Sequence, residues 1–209
     1  MLKEKKSLTI GLVSSSLYVA SQLFANILST KIALLPILNI SIDGGTVIYP
    51  LTFTLRDFVH KTWGKVMARR VVIIAAALNL LMFGLFWLVG KMQPDPTWNF
   101  QESYNQILLP VGRIVVASIL AQVVSELIDT EIFSFVFKKI NDTAAVLFSN
   151  FVGLLFDSVI FGLIAFWGAL PFSTVVQIII SNILVKLVIS ILSAPSIKLI
   201  PRSAEIEEI

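Results

Sequence analysis

Long apolar segments with few charges are the feature that most constrains this chain. Six of them lie approximately at residues 8–28, 46–59, 66–89, 107–137, 146–167 and 174–194. Charged residues make up only 14% of the sequence, against about 25% in a soluble globular domain. A helix that crosses the hydrocarbon core needs about 20 mostly apolar residues. The pattern predicts an all-α integral membrane protein, with six transmembrane helices in a single domain at residues 1–209.

The distribution of Lys and Arg predicts how these helices are oriented. An even number of spans puts both termini on one side, and that side receives 11 of the 16 cations, whereas the other receives only Lys31 and Lys91. Positively charged residues accumulate in cytoplasmic loops. Segment 8–28 is longer than the apolar region of a signal peptide, which favours a retained first helix. We therefore expect both termini in the cytoplasm and a multi-pass protein of the cytoplasmic (inner) membrane.

The second segment differs from the others because it is short and carries charge. It contains Pro50, so we expect a proline-interrupted helix, and Arg56 and Asp57 follow six residues later. Short, interrupted segments are a pointer to a transporter binding site, although both charges could instead lie at a cytoplasmic interface. Before this segment, residues 32–45 contain the turn signal Asp43-Gly44-Gly45. That stretch is expected to be either re-entrant or a hairpin packed against protein.

Ionisable side chains within the predicted helices are the main candidates for function, because charge in a bilayer is costly. Asp157 and Lys186 lie near the middle of the fifth and sixth segments, and Asn150 shares the Asp157 face. We expect Asp157 and Lys186 to form an ion pair that lines a cavity. The alternative is a static pair that only holds the helices together.

The fourth segment carries a polar stripe. Gln122, Ser125, Glu126 and Asp129 recur at spacings of three and four, so they share one helix face. Glu126 and Asp129 are expected either in a cavity or solvated where the helix leaves the membrane, and Arg113 could snorkel at the other end. Several aromatic side chains could stack on a flat ligand, although aromatics in membrane helices usually pack or anchor at the interface. They are Tyr49, Phe53, Phe156, Phe161 and Trp167.

Several function classes are excluded by what the sequence lacks. It has no cysteine and a single histidine, His60, so it has no thiol chemistry and no multi-histidine metal site. It also has no phosphate-binding loop, no dinucleotide-binding motif and no hydrolase motif. We therefore expect a protein that is not an enzyme, with no cofactor and no metal. There is no basic arm, so nucleic acid is not an expected partner.

Four blocks of sequence together resemble one family, the queuosine precursor transporters or VUT family. The match covers residues from about 20 to 195, and the order and spacing of the blocks make it specific. The blocks are Tyr49-Pro50-Leu51-Thr52-Phe53-Thr54-Leu55-Arg56-Asp57 with Gly64 and Ala68-Arg69-Arg70, then Arg113-Ile114 with Ala117-Ser118, Asp129 and Phe133, then Asn150, Asp157, Phe161 and Ala165-Phe166-Trp167, and last Lys186-Leu187-Val188-Ile189-Ser190.

The resemblance implies a six-helix protein of the inner membrane that imports deazaguanine-type precursors of queuosine. Two departures from the family pattern leave the exact substrate open. Arg56 stands where the family usually has an uncharged residue, and His60-Lys61 stand where many members carry a glutamate. With the polar stripe and the aromatics, the substrate-binding candidates are Asn26, Phe53, Asp57, Arg113, Glu126, Asp129, Asn150, Asp157 and Lys186.

Three functions compete at this point. The favoured one is a stand-alone transporter of a purine-like base, with the lipid bilayer as its environment and a homodimer left open. The alternative is a substrate-binding membrane subunit of a vitamin or nucleobase uptake system energised by a separate ATPase. An intramembrane enzyme that uses Glu126 and Asp157 is the third, but no nucleophile–base signature supports it.

Overall fold

The computed structural model describes residues 2–36, 38–137 and 142–193, and side chains within 7–125 and 151–192 with few exceptions. Most of these residues are helical. The helices are α1 (Leu2–Leu28), α2 (Tyr49–Gly90), α3 (Gln101–Leu108), α4 (Val111–Phe137), α5 (Asp142–Phe166) and α6 (Phe172–Ser193). A β-hairpin of β1 (Ile32–Leu35) and β2 (Ile40–Asp43), followed by a 3-10 turn at Gly44–Val47, joins α1 to α2.

Large apolar side chains cover the outer faces of the helices, and many polar side chains are buried between the helices together with apolar ones. On α1, for example, Leu12 and Phe24 are exposed, whereas Ser14, Gln22 and Asn26 are buried. Outer faces with this many large apolar side chains fit lipid as the surrounding solvent. By length and composition, four described segments can cross a membrane: Ser7–Leu28, Tyr49–Gly90, Gln101–Ser125 and Phe172–Ile189, while the apolar stretch Phe151–Phe166 is shorter.

Helix α2 is broken at Gly64, where φ is 82° and ψ is 171°. These angles are open essentially only to glycine. Leu55 and Ala75 belong to one buried cluster around Tyr18, although a straight helix would hold them about 30 Å apart. The chain therefore folds back at Gly64, so that residues 49–63 and 65–90 both pack on α1.

The prediction of a proline-interrupted second helix is wrong. Pro50 lies in the first turn of α2, where its missing N–H has no intrahelical partner to lose and its fixed φ suits the helix. The break at Gly64 falls between the second and third predicted segments, 46–59 and 66–89, as their separation in sequence predicts. Another proline, Pro110, separates α3 from α4, so the predicted segment 107–137 is shorter than expected and starts after a separate amphipathic helix.

The hairpin predicted as one of two options for residues 32–45 is what the structure contains. Its register pairs Ile32 with Asp43 and Leu35 with Ile40. The Ser41 N–H donates to Gln177 Oε1 of α6 at 2.9 Å, and Ser181 of α6 donates back to the Ser41 carbonyl at 2.8 Å. The hairpin is thus held on α6 and closes one end of the helix bundle. It also makes the chain mostly rather than wholly helical.

Candidate functional site

A small cavity lined by many polar side chains lies between the helices, beneath the hairpin; we call it the central cavity. Side chains from α1, the hairpin, the 3-10 turn and helices α2, α4, α5 and α6 meet there. Its free volume in this conformation is about 20 Å³, room for about one water molecule, so a small-molecule ligand can enter only if the surrounding helices move apart. The lining consists of Ala25, Asn26, Ser29, Asp43, Gly45, Thr46, Tyr49, Ser118, Phe161, Asn182 and Lys186.

Asp43 is the carboxylate of this cavity that has no ion-pair partner among the described residues. It is 1% exposed, and it accepts hydrogen bonds from Ser29 Oγ at 2.7 Å and from Thr46 Oγ1 at 2.8 Å. The Thr46 hydroxyl also contacts the Asn182 side-chain amide. Each carboxylate oxygen keeps a further lone pair. A buried carboxylate held in this way is a strong hydrogen-bond acceptor for a ligand in the cavity.

Gly45 lets this arrangement form because a side chain there would not fit. A Cβ added to Gly45 would collide with the Ser29 hydroxyl and the Ala25 carbonyl. The turn after the hairpin can therefore approach the end of α1 closely, which brings Asp43 and Ser29 into contact. The Asp43-Gly44-Gly45 turn signal thus also positions a carboxylate.

The predicted ion pair of Asp157 and Lys186 is confirmed. Lys186 Nζ donates to Asp157 Oδ2 at 2.6 Å and to Ser158 Oγ at 3.3 Å, and both charged side chains are almost fully buried. The same ammonium group lies 4.7 Å from the centre of the Tyr49 ring, within the range of a cation–π contact. The positive charge of Lys186 is therefore balanced by Asp157, whereas the negative charge of Asp43 has no ion-pair partner among the described residues.

Two buried amides, those of Asn26 and Asn79, link the cavity wall on α1 to α2. Asn26 Nδ2 donates to Asn79 Oδ1 at 2.6 Å, and Asn79 Nδ2 donates to the Ala75 carbonyl at 2.9 Å. Because Asn79 fixes its donor group, Asn26 presents its amide at a defined angle on the cavity wall. Asn26 was a sequence candidate, and the structure places it in the central cavity.

A second small cavity, with a free volume of about 30 Å³, lies next to the first. Tyr49 lines both cavities, Lys186 lines the central cavity and Asp157 lines the second. Phe53 is also in the second cavity, with its ring 5.6 Å from that of Tyr49. The complete lining is Tyr18, Gln22, Tyr49, Thr52, Phe53, Arg56, Gln122, Ser125 and Asp157.

Arg113 lies away from both cavities. Its Nε donates to the Ile164 carbonyl at 2.6 Å, and its NH2 group donates to the Trp167 carbonyl. These carbonyls belong to the last turn of α5 and the residue after it, where helices leave acceptors without partners and where positive charge is favoured. The structure thus gives Arg113 a helix-capping position.

The other sequence candidates are not brought together in the part of the chain that the structure describes. Asp57 is half-buried on α2 and lines neither cavity. Glu126, Asp129 and Asn150 lie outside the residues whose side chains are described. Within the described residues, no group of three or more His, Asp and Glu side chains converges as metal ligands do.

Sequence reasoning missed the residues that surround Asp43. Ser29 and Thr46 carry short polar side chains, which are common in membrane helices and turns and gave no signal. Asn182 was noticeable because it lies one turn before Lys186. Thr46 and Asn182 are 136 residues apart in sequence, so only the fold reveals that they meet.

Apolar outer faces and four segments long enough to cross a bilayer define a multi-pass membrane protein, with a small polar-lined cavity between its helices. The profile of a family described as "Putative vitamin uptake transporter" matches residues 43–200, most of the chain. The chain belongs to this family and is a membrane transporter. A curated relative from Bacillus subtilis (strain 168), "Probable queuosine precursor transporter", is 27% identical over 156 residues, covering 72% of this chain and 68% of the relative. No solved structure matches this chain.

Proposed function

We propose that the chain imports a deazaguanine-type nucleobase, a precursor of queuosine, across the cytoplasmic membrane. The observation that carries the proposal is the central cavity, where the Asp43 carboxylate lacks a balancing cation among the described residues. The resemblance of four sequence blocks to the queuosine precursor transporters and the name of the Bacillus subtilis relative support the same substrate class.

The chemistry of such a base suits this cavity. A guanine-like ring presents a ring N–H and an exocyclic amine side by side, and one carboxylate can accept both. Charge-assisted bonds of this kind are about twice as strong as bonds between neutral groups. Asp43 is the residue we assign to this edge, and the amides of Asn26 and Asn182 can serve the remaining donors and acceptors.

Two aromatic rings can cover the flat faces of the base. Tyr49 and Phe161 both line the central cavity, from α2 and α5. A planar ligand between such rings gains contact area with little loss of conformational entropy. The excess negative charge of Asp43 also tolerates a cationic aminomethyl substituent. Arg56, which would oppose that substituent, lines the second cavity beyond Tyr49.

The topology proposed for this import has six spans with both termini in the cytoplasm. The 11-to-2 distribution of cations supports it, as does the reversal at Gly64, which makes two segments of α2. Single cysteines can be placed at Leu2 and Ser203, because the chain has none of its own. Both should resist an impermeant thiol reagent in intact cells, and labelling of one alone would exclude an even number of spans.

Uptake of a radiolabelled 7-deazaguanine base into liposomes that contain only this purified protein tests the function. We expect uptake above that of empty liposomes, and the uptake should be lost in Asp43→Asn and kept in Asp95→Asn, which changes an exposed loop carboxylate. Uptake that requires an added ATPase would instead support the substrate-binding subunit. Absence of uptake under both conditions would contradict the proposed substrate.

A further inference from the structure

The two cavities lie in line along the helix bundle. On α1 the central cavity uses Asn26 and the second uses Tyr18, eight residues or about 12 Å nearer the N-terminus. On α4 the central cavity uses Ser118 and the second uses Ser125, about 10 Å farther along that helix. The chain also runs from Thr46 of the 3-10 turn, at the central cavity, to Arg56 of α2, at the second cavity. These three parts of the chain place the two cavities along one axis that leads away from the hairpin.

A thin partition separates the two cavities. The Tyr49 ring contributes to both linings, and the Lys186–Asp157 pair contributes one residue to each. Lys186 connects these parts, because its ammonium group is bonded to Asp157 at 2.6 Å and lies 4.7 Å from the Tyr49 ring centre. A molecule that moves from one cavity to the other must displace this ring or break this pair.

We infer that the two cavities are successive compartments of one transport path and that Tyr49, with the Lys186–Asp157 pair, is the internal gate between them. The inference rests on the proposed role in transport and adds the gate and the second compartment. The lining of the second cavity is also polar. The amides of Gln22 and Gln122 donate to the Tyr18 hydroxyl, and the Thr52 hydroxyl donates to the Tyr49 carbonyl, so a polar planar ligand there would exchange these hydrogen bonds for its own.

The contacts at the gate explain how it can stay closed and still open. A tyrosine ring turns by rotation about side-chain bonds, without movement of the backbone. The cation–π contact and the buried pair hold the ring in place, and a base that stacks on Tyr49 from either side competes with the Lys186 contact. An aromatic ligand can therefore open the gate that an empty site keeps closed.

Thiol labelling tests the gate without any substrate. Ser118 and Ser125 on α4 are replaced singly by cysteine, which provides one reporter for each cavity on the same helix. Thr97→Cys in the exposed loop after α2 marks the hairpin side. Right-side-out and inverted vesicles are treated with a trimethylammonium methanethiosulfonate. The rate at which each reporter cysteine is modified is measured from each side of the membrane, in proteins that carry the native Tyr49, Tyr49→Phe or Tyr49→Ala.

We expect Ser125→Cys to react about tenfold faster from the side opposite Thr97. This ratio corresponds to a closed gate that is favoured over the open one by about 1.4 kcal/mol. Ser118→Cys should show the reverse preference. Tyr49→Ala should abolish both preferences, and Tyr49→Phe, which keeps the ring, should retain them. If Tyr49→Ala does not insert, the double variant Lys186→Met/Asp157→Asn removes the other half of the partition and should have the same effect.

Unchanged side preferences in Tyr49→Ala, or in the double variant, would overturn the gate. Equal reactivity of both reporters from both sides in the unmodified protein would overturn the two compartments. Neither result depends on what is transported. Failure of this inference is therefore distinct from failure of the proposed substrate, which uptake and binding decide.

Discussion

Removal of one member of the Asp157–Lys186 pair should destabilise the protein more than removal of both. At 2.6 Å, the direct attraction amounts to about 6 kcal/mol with an effective dielectric constant of about 20. Desolvation offsets much of this, but a single substitution leaves the remaining charge buried and typically costs about 3–5 kcal/mol. We therefore expect this cost for Asp157→Asn and for Lys186→Met.

Thermal unfolding in detergent measures the effect. For a chain of this size, 1 kcal/mol shifts Tm by about 2–4 °C, so each single variant should unfold about 6–20 °C below the unmodified protein. The double variant has no unpaired charge at this position, and it should recover part of the loss. The difference between the double variant and the sum of the singles measures the interaction between the two residues.

A matched pair of exposed residues provides the control. Lys91→Met and Asp95→Asn change the same residue types in the loop after α2, where both side chains are exposed. Surface substitutions usually change stability by less than about 0.5 kcal/mol, so these variants should be near neutral and additive. If the losses at Asp157 and Lys186 also simply add, the pair contributes no coupling, and the argument for a gate built on it fails.

Two further predictions concern the helices that frame the cavities. Gly64→Ala should lower the free energy of unfolding by about 1–3 kcal/mol, because its backbone angles are open essentially only to glycine. Gly84→Ala, within a helix and facing open space, should be neutral or stabilising in the same thermal assay. Equal effects of the two substitutions would contradict the reversal at Gly64. Arg113→Met should reduce stability but leave the affinity for a 7-deazaguanine base, measured by calorimetry, unchanged, because Arg113 caps α5 outside both cavities. A loss of affinity at unchanged Tm would show that Arg113 belongs to the binding site.

The parts that sequence predicted well have local signals. Apolar segments gave most helices, because about 20 apolar residues in a row have few other solutions. Asp157 and Lys186 were predicted to pair because each lies near the middle of consecutive segments, at similar depth. Membership of the family followed from the order of four blocks rather than from any one of them.

The parts that sequence did not predict depend on contacts between distant residues or on single backbone angles. Asp43 was interpreted only as a turn residue, and nothing local indicates that the hairpin folds onto α6 and carries this carboxylate into the bundle. Gly64 could be any interhelical glycine until its φ is known. Arg113 carries a charge that suits a ligand or a helix end equally, and the partner carbonyls decide between them.

Equilibrium binding to the purified protein tests the central claim, that Asp43 holds the transported base. Loss of a charge-assisted hydrogen bond costs about 1.5–3 kcal/mol, so Asp43→Asn should weaken the binding of a 7-deazaguanine base by about 10- to 150-fold. Asp95→Asn, the same change in an exposed loop, should bind as the unmodified protein does. Affinity of folded Asp43→Asn equal to that of Asp95→Asn would contradict the claim, and the base would have to be recognised elsewhere.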